Sequence, residues 1–189
     1  MGRILTLTGP SGVGKTTLAS LITERLGNAS MVVSYTTRPS RESDIPGEYA
    51  SVSGERYNEM VTTGECLWFA SHGSASYCTR RGDVDDALAQ PGGLSVMILV
   101  PEVLPTLREH LALRGALVAH IPVFLLVPDK AMLVERLARR GDAPEEIAKR
   151  LEQSRMWEAL AFVSSVPFTF VRNDGDIERS FDQIFALIS

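Results

Sequence analysis

The chain has 189 residues, 44% of them hydrophobic and 22% charged, a composition that fills one core and forms a single globular domain. A net charge of −4 argues against general nucleic-acid binding, and no apolar run reaches membrane-spanning length. Cys66 and Cys78 have neither metal-ligand spacing nor a disulfide framework and are expected to be packed free thiols. The N-terminus enters an apolar run at once with no signal-peptide pattern, so a cytoplasmic protein is expected.

In chain order the apolar runs predict strands at 3–8, 31–34, 94–100, 117–127 and 168–171. Helical periodicity predicts helices near 14–26, 102–113, 129–140, 143–162 and 176–188. That alternation is the signature of an α/β fold with a parallel sheet flanked by helices, whose ligands bind at the carboxyl ends of the strands. The segment 34–92 interrupts the rhythm with short β-prone and helical pieces. Asp142, followed three residues later by Glu145, has the spacing of a capping box, so the helices on either side of Gly141 are expected to form a hinged hairpin suited to a lid.

Residues 9–16 read Gly-Pro-Ser-Gly-Val-Gly-Lys-Thr between the first strand and the first helix. This phosphate loop points to a nucleoside triphosphate: backbone N–H groups of Ser11, Gly12, Val13, Gly14, Lys15, Thr16 and Thr17 cradle phosphates, Lys15 adds a point charge, and the Thr16 hydroxyl is a magnesium ligand. One of only three lysines, against sixteen arginines, sits in the motif. Arg38 and Arg41 stand in a hydroxyl-rich loop, Ser34-Tyr35-Thr36-Thr37, where guanidinium forks match an acceptor's phosphate. Arg136, Arg140 and Arg150 in the hairpin are candidates to stabilise the moving phosphoryl group. A phosphate acceptor is already ionised near neutrality, so no histidine is required as a base, and His72, His110 and His120 are read as structural or exposed. The strand at 94–100 ends without an aspartate, which leaves magnesium to Thr16, phosphates and water. Asp129 reads as a helix N-cap.

These segments together resemble the guanylate kinase family. The resemblance rests on residues 9–17, Ser34 to Arg41, Gly47-Glu48-Tyr49 with Val52-Ser53, Gly64-Glu65, Tyr77-Cys78-Thr79, Arg136-Leu137, Arg140-Gly141, Arg150-Leu151 and Asn173-Asp174. It implies a P-loop kinase with a core (1–33, 93–135 and 156–189), an inserted acceptor-binding region (34–92) and a helical lid (136–155). It further implies ATP and Mg2+ as donor and cofactor, and GMP or dGMP as acceptor. Ser34, Arg38, Arg41, Tyr49 and Tyr77 would hold the acceptor phosphate, Thr79 would contact the base, and Lys15, Arg136, Arg140 and Arg150 would serve the transfer. Two positions depart from the family pattern: Trp68 replaces a guanine-reading glutamate, and Leu99-Val100-Pro101 replaces an Asp-Ile-Asp segment. A carboxylate accepts from guanine N1–H and the 2-amino group, whereas tryptophan offers a stacking face and one donor. Two alternatives therefore stay open, a sugar-phosphate kinase resembling ribose 1,5-bisphosphate phosphokinase and a non-catalytic binding module. No membrane or nucleic-acid partner is expected, and oligomeric state is not legible.

Overall fold

A computed structural model describes residues 1–41, 44–72 (His72 as backbone only), 74–126 and 129–189. Its first strand, β1 (Arg3–Thr8), lies in the middle of a five-stranded sheet. The other members are β2 (Ala29–Met31), β7 (Leu94–Ile98), β8 (His120–Leu126) and β9 (Thr169–Arg172), in the order β2-β7-β1-β8-β9 with every pairing parallel. The strands are short apolar runs because both faces are covered. Leu5 and Leu7 pack with helices α1 (Lys15–Arg25) and α7 (Ile177–Ile188) on one face. Ile4 and Met97 pack on the other with α3 (Arg81–Ala89) and α4 (Leu104–Leu113). Truncating any of these fully buried aliphatic side chains costs about 2–5 kcal/mol.

Local chemistry sets several boundaries. Ser53 caps α2 (Gly54–Thr62) by accepting from the Arg56 amide at 3.1 Å, and Asp176 caps α7 through the Arg179 amide at 3.0 Å. Asp129 caps α5 (Lys130–Arg139) through the Ala131 amide at 2.9 Å. The strand expected at 117–127 begins with a single 3-10 turn, Leu117–Ala119, and the ladder is then formed by β8; Val127 and Pro128 lie outside the described residues.

The expected strand 31–34 is instead two strands in two sheets. Met31 ends β2, the Val32 amide still bonds the Val96 carbonyl at 3.0 Å, and Ser34 then opens β3 (Ser34–Thr36). One apolar run carries the chain across, and periodicity does not show which sheet each residue joins. The second sheet has four strands in the order β4-β3-β6-β5, with β4 (Tyr49–Ser51), β5 (Cys66–His72) and β6 (Ala75–Arg80). Register places Ser34, Thr79 and Trp68 in one row on one face of it. The opposite face, with Tyr35 and Cys78, packs on Tyr57 and Met60 of α2, and both cysteines are free and buried.

A second correction concerns the hairpin. Helix α6 (Pro144–Val163) has Ala143 at its N-cap, and no side chain caps it. Asp142 is therefore not the cap, because its carboxylate faces Arg140 and Arg150. Gly141, at φ 90°, makes the turn between α5 and α6.

Candidate active site

The phosphate loop leaves β1 at its carboxyl end and delivers Lys15 as the first residue of α1, so the helix N-terminus faces the loop. Gly14 has φ 103°, and a Cβ there would lie 2.4 Å from Nδ2 of Asn173. That amide donates to the Val13 carbonyl at 2.7 Å, so a buried asparagine after the last strand fastens the loop. A Cβ on Gly9 would lie 2.5 Å from the Leu125 carbonyl oxygen, and the turn must pass this close to β8.

Lys15 Nζ donates to the carbonyls of Gly9 and Pro10, both at 2.7 Å. Burial, with Arg140 and Arg150 nearby, lowers its pKa to about 8, and Glu48 partly offsets the effect. Three cations thus crowd one loop that offers only neutral acceptors, an arrangement completed by a polyanion. Thr16 and Thr17 are exposed, which leaves the Thr16 hydroxyl open to a ligand. Among the described residues no group of three or more His, Cys, Asp or Glu could hold a metal. The donor set thus fits a magnesium ion carried on phosphate oxygens, with one hydroxyl from the protein.

Arg136, Arg140 and Arg150 all reach the loop, by two routes. Arg136 donates to the carbonyls of Val13 at 3.5 Å and Asn173 at 3.3 Å. Arg140 and Arg150 both donate to the Ser11 hydroxyl, at 3.3 and 2.9 Å. Arg139 points away and pairs with Glu135 on its own helix. His110 is held by Asp85 and His120 by Thr6, with no contact to the loop.

The acceptor side gathers around Arg38. Its guanidinium lies over the Tyr49 ring, 4.4 Å from the centroid, and Tyr49 meets Tyr77 edge-on at 6.0 Å. Asp44 grips Arg38 with both oxygens, at 2.7 and 2.9 Å, and also accepts the Arg41 amide at 2.8 Å. The pair is well buried, with side-chain exposures of 9% and 13%, so the charge-assisted bonds raise the Arg38 pKa and lower that of Asp44. Arg41 itself is exposed. Ser34 and Thr79 hydroxyls lie 3.4 Å apart, both buried. Glu48, also buried, accepts the Ile45 amide, and burial raises both its pKa and that of Tyr49.

Trp68 departs from the expectation of a stacking surface. Only 7% exposed, it belongs to one core cluster with Leu99, Val103 and Leu104, and its Nε1 has no hydrogen-bond partner among the described residues. Pro101, also buried, starts the turn that leads into α4. Glu102, the next residue, accepts from Nε1 of Trp157 at 2.6 Å and so ties α6 to the turn that follows β7.

Sequence reasoning did not single out Asp44, Glu48 or Asp142 as site residues, and it met Asn173 only within the resemblance. Asp44 was accessible in principle, as a carboxylate six residues beyond Arg38 in the same loop. Asn173 lies 160 positions from its partner, and no local pattern marks that contact.

Comparison with known proteins extends over the whole molecule. The family model described as guanylate kinase matches residues 1–189. The chain is 34% identical over 181 residues to a guanylate kinase of Thermosynechococcus vestitus, covering 95% of this chain and 89% of the relative. It is 30% identical over 189 residues to one of Symbiobacterium thermophilum, covering 99% and 84%. The crystal structure of guanylate kinase from Anaplasma phagocytophilum superposes with a TM-score of 0.68 at 22% identity, over 99% of this chain and 84% of that one, a likeness that speaks to fold. With the fastened phosphate loop, the arginines that converge on it and a family match from the first residue to the last, this chain belongs to the guanylate kinase family.

Proposed function

We propose that the protein transfers the γ-phosphate of ATP to GMP, and to dGMP, giving ADP and the nucleoside diphosphate. The observation that carries this reading is the convergence of Lys15, Arg140 and Arg150 on one loop, opposite an acceptor loop whose Arg38 is already oriented. In phosphoryl transfer the protein mainly positions two anions and stabilises the charge between them. Lys15 leaves its two carbonyls for the donor phosphates. Arg140 and Arg150 exchange the Ser11 hydroxyl for oxygens of the moving group, and Arg136 braces the loop from behind. Magnesium, when bound, offsets the charge of the phosphates, and the Thr16 hydroxyl is its ligand from the protein. Arg38, Arg41, Tyr49, Tyr77 and Ser34 hold the acceptor phosphate, and its ionised oxygen attacks without a general base. Thr79 lies beside Ser34 on the acceptor side, and Trp68, buried in the core, packs that side onto the parallel sheet's flank instead of stacking on a base.

The division into core, acceptor-binding region and lid follows from the same reading, with the second sheet carrying the acceptor and the α5–α6 hairpin closing over the donor. Among the described residues no helix is long and apolar enough to cross a membrane. We place the enzyme in the cytoplasm, where nucleotides are interconverted.

The deciding experiment is an ADP-release assay with ATP, Mg2+ and each nucleoside monophosphate, with ribose 1,5-bisphosphate in parallel. Turnover with GMP is expected. Turnover with the sugar phosphate alone would move the function to the other kinase class, and ATP binding without any turnover would leave a binding module.

Donor binding should also be linked to protons. Phosphate oxygens favour the charged amine, so ATP raises a Lys15 pKa that stands at about 8 in the free protein. Binding then takes up a proton in the range above pH 8, and affinity weakens as pH rises through it. Titration calorimetry near pH ~8.5 in two buffers of different ionisation enthalpy reads this directly. Identical heats in both buffers would contradict it.

A further inference from the structure

We infer that Asp142 is a positioning residue for the transfer: it holds Arg140 and Arg150 as a pair and aims both at the phosphate loop. This rests on the proposed kinase reaction. The geometry is a closed ring. One oxygen, Oδ2 of Asp142, accepts a hydrogen bond from an Arg140 terminal nitrogen at 2.5 Å and lies 3.2 Å from Nε of Arg150, an ion-pair contact without hydrogen-bond alignment. The other ends of the same two guanidiniums meet on the Ser11 hydroxyl, at 3.3 and 2.9 Å. Arg140 closes α5 and Arg150 lies in the second turn and beyond of α6, so each comes from a different helix of the hairpin.

Two guanidiniums directed at one neutral hydroxyl repel each other, and neither helix alone sets their separation. A carboxylate between them removes most of that repulsion and fixes the distance. Its side chain is 16% exposed and that of Arg150 26%, against 48% for Arg140, so solvent screens the Arg150 contact less than the Arg140 one. The acceptor side repeats the device, with Asp44 gripping Arg38. A carboxylate thus orients arginines on each side of the transfer, and its position as second residue after Arg140 keeps Asp142 behind them, away from the phosphates.

The test compares wild type, Asp142→Asn and Asp142→Glu in GMP turnover, with kcat and the KM for ATP read separately. Asp142→Asn keeps shape and removes charge. Its kcat should fall on the order of 10- to 100-fold, because arginines displaced by about 1 Å lose that much, while the KM for ATP changes less than ~3-fold. Asp142→Glu, which restores the charge, should keep kcat within about 5-fold of wild type. A wild-type kcat in Asp142→Asn, equal losses in both variants, or a rise in KM that accounts for the whole loss would overturn the inference. Failure of the wild type itself to phosphorylate GMP would overturn the proposed reaction first, an outcome distinct from an active wild type whose Asp142→Asn variant is equally active.

Discussion

Lys15→Ala should lower turnover with ATP and GMP on the order of 1,000-fold, since one preorganised cationic donor in a transfer site is worth about that much. The structure makes this loss specific to catalysis. The Lys15 amine bonds two loop carbonyls at 2.7 Å each, but burial and the lid arginines hold its pKa at about 8, well below 10.5. A lowered lysine pKa means that the folded protein disfavours the charged form. Below about pH 8 the native state carries that burden in full; between pH 8 and 10.5 it has released a proton that the unfolded chain still holds, and stability rises with pH. Lys15→Met removes both burden and slope. Its thermal midpoint without nucleotide should exceed that of wild type at neutral pH, and the gain should shrink above pH 8. Loss of activity with a raised midpoint is the pattern of a residue kept for function against stability. Retained turnover in either variant would remove the central claim about the loop.

The double substitution Trp68→Glu with Pro101→Asp should raise the preference for GMP over IMP and AMP, measured as a ratio of kcat/KM, by about 100-fold. In the wild type the row Ser34–Thr79–Trp68 holds two buried hydroxyls and an indole whose N–H is buried, with Leu99 and Val100 packed in the same cluster. Guanine's ring N–H and amino group find no carboxylate there, so wild-type discrimination among purine monophosphates should be weak. Truncating a buried tryptophan costs about 3–5 kcal/mol, whereas losing an unpartnered buried N–H returns about 1–3 kcal/mol. The introduced carboxylate is itself costly to bury, so the ratio is read in a double variant whose cooperative unfolding shows that it folds. Position 101 opens the turn into α4, where an added carboxylate meets favourable backbone dipoles. An unchanged ratio in a folded double variant would show that these positions do not set the choice of base.

The parallel core was readable because short apolar runs alternate with 3.6-residue periodicity, and α1, α4, α5, α6 and α7 fall within a few residues of their predicted ranges, whereas α2 and α3 lie in the segment 34–92, for which no helix range was predicted. The strand at 31–34 was not, because Met31-Val32-Val33 is equally apolar wherever it is placed. Only the bond from Val32 to Val96 and that from Ser34 to the Glu48 carbonyl divide it between two sheets. The spacing of Asp142 and Glu145 matches a capping box, but spacing does not see two arginines competing for the carboxylate. Trp68 could be identified as unusual from its neighbours in sequence, whereas its burial depends on Leu99, Val103 and Leu104, more than thirty residues away.

By itself the sequence determined the donor half of this protein. The phosphate loop is eight consecutive residues in which backbone turns at glycine, a lysine amine and a threonine hydroxyl stand next to one another, so linear order and chemistry coincide. Tertiary structure decided the rest: that Asn173 fastens the loop, that Lys15 titrates low, that Asp44 and Asp142 hold the arginines, and that Trp68 is walled into the core. Each of these is an electrostatic or packing relation between side chains brought together by the fold. Such relations depend on distance through space, which chain order does not encode.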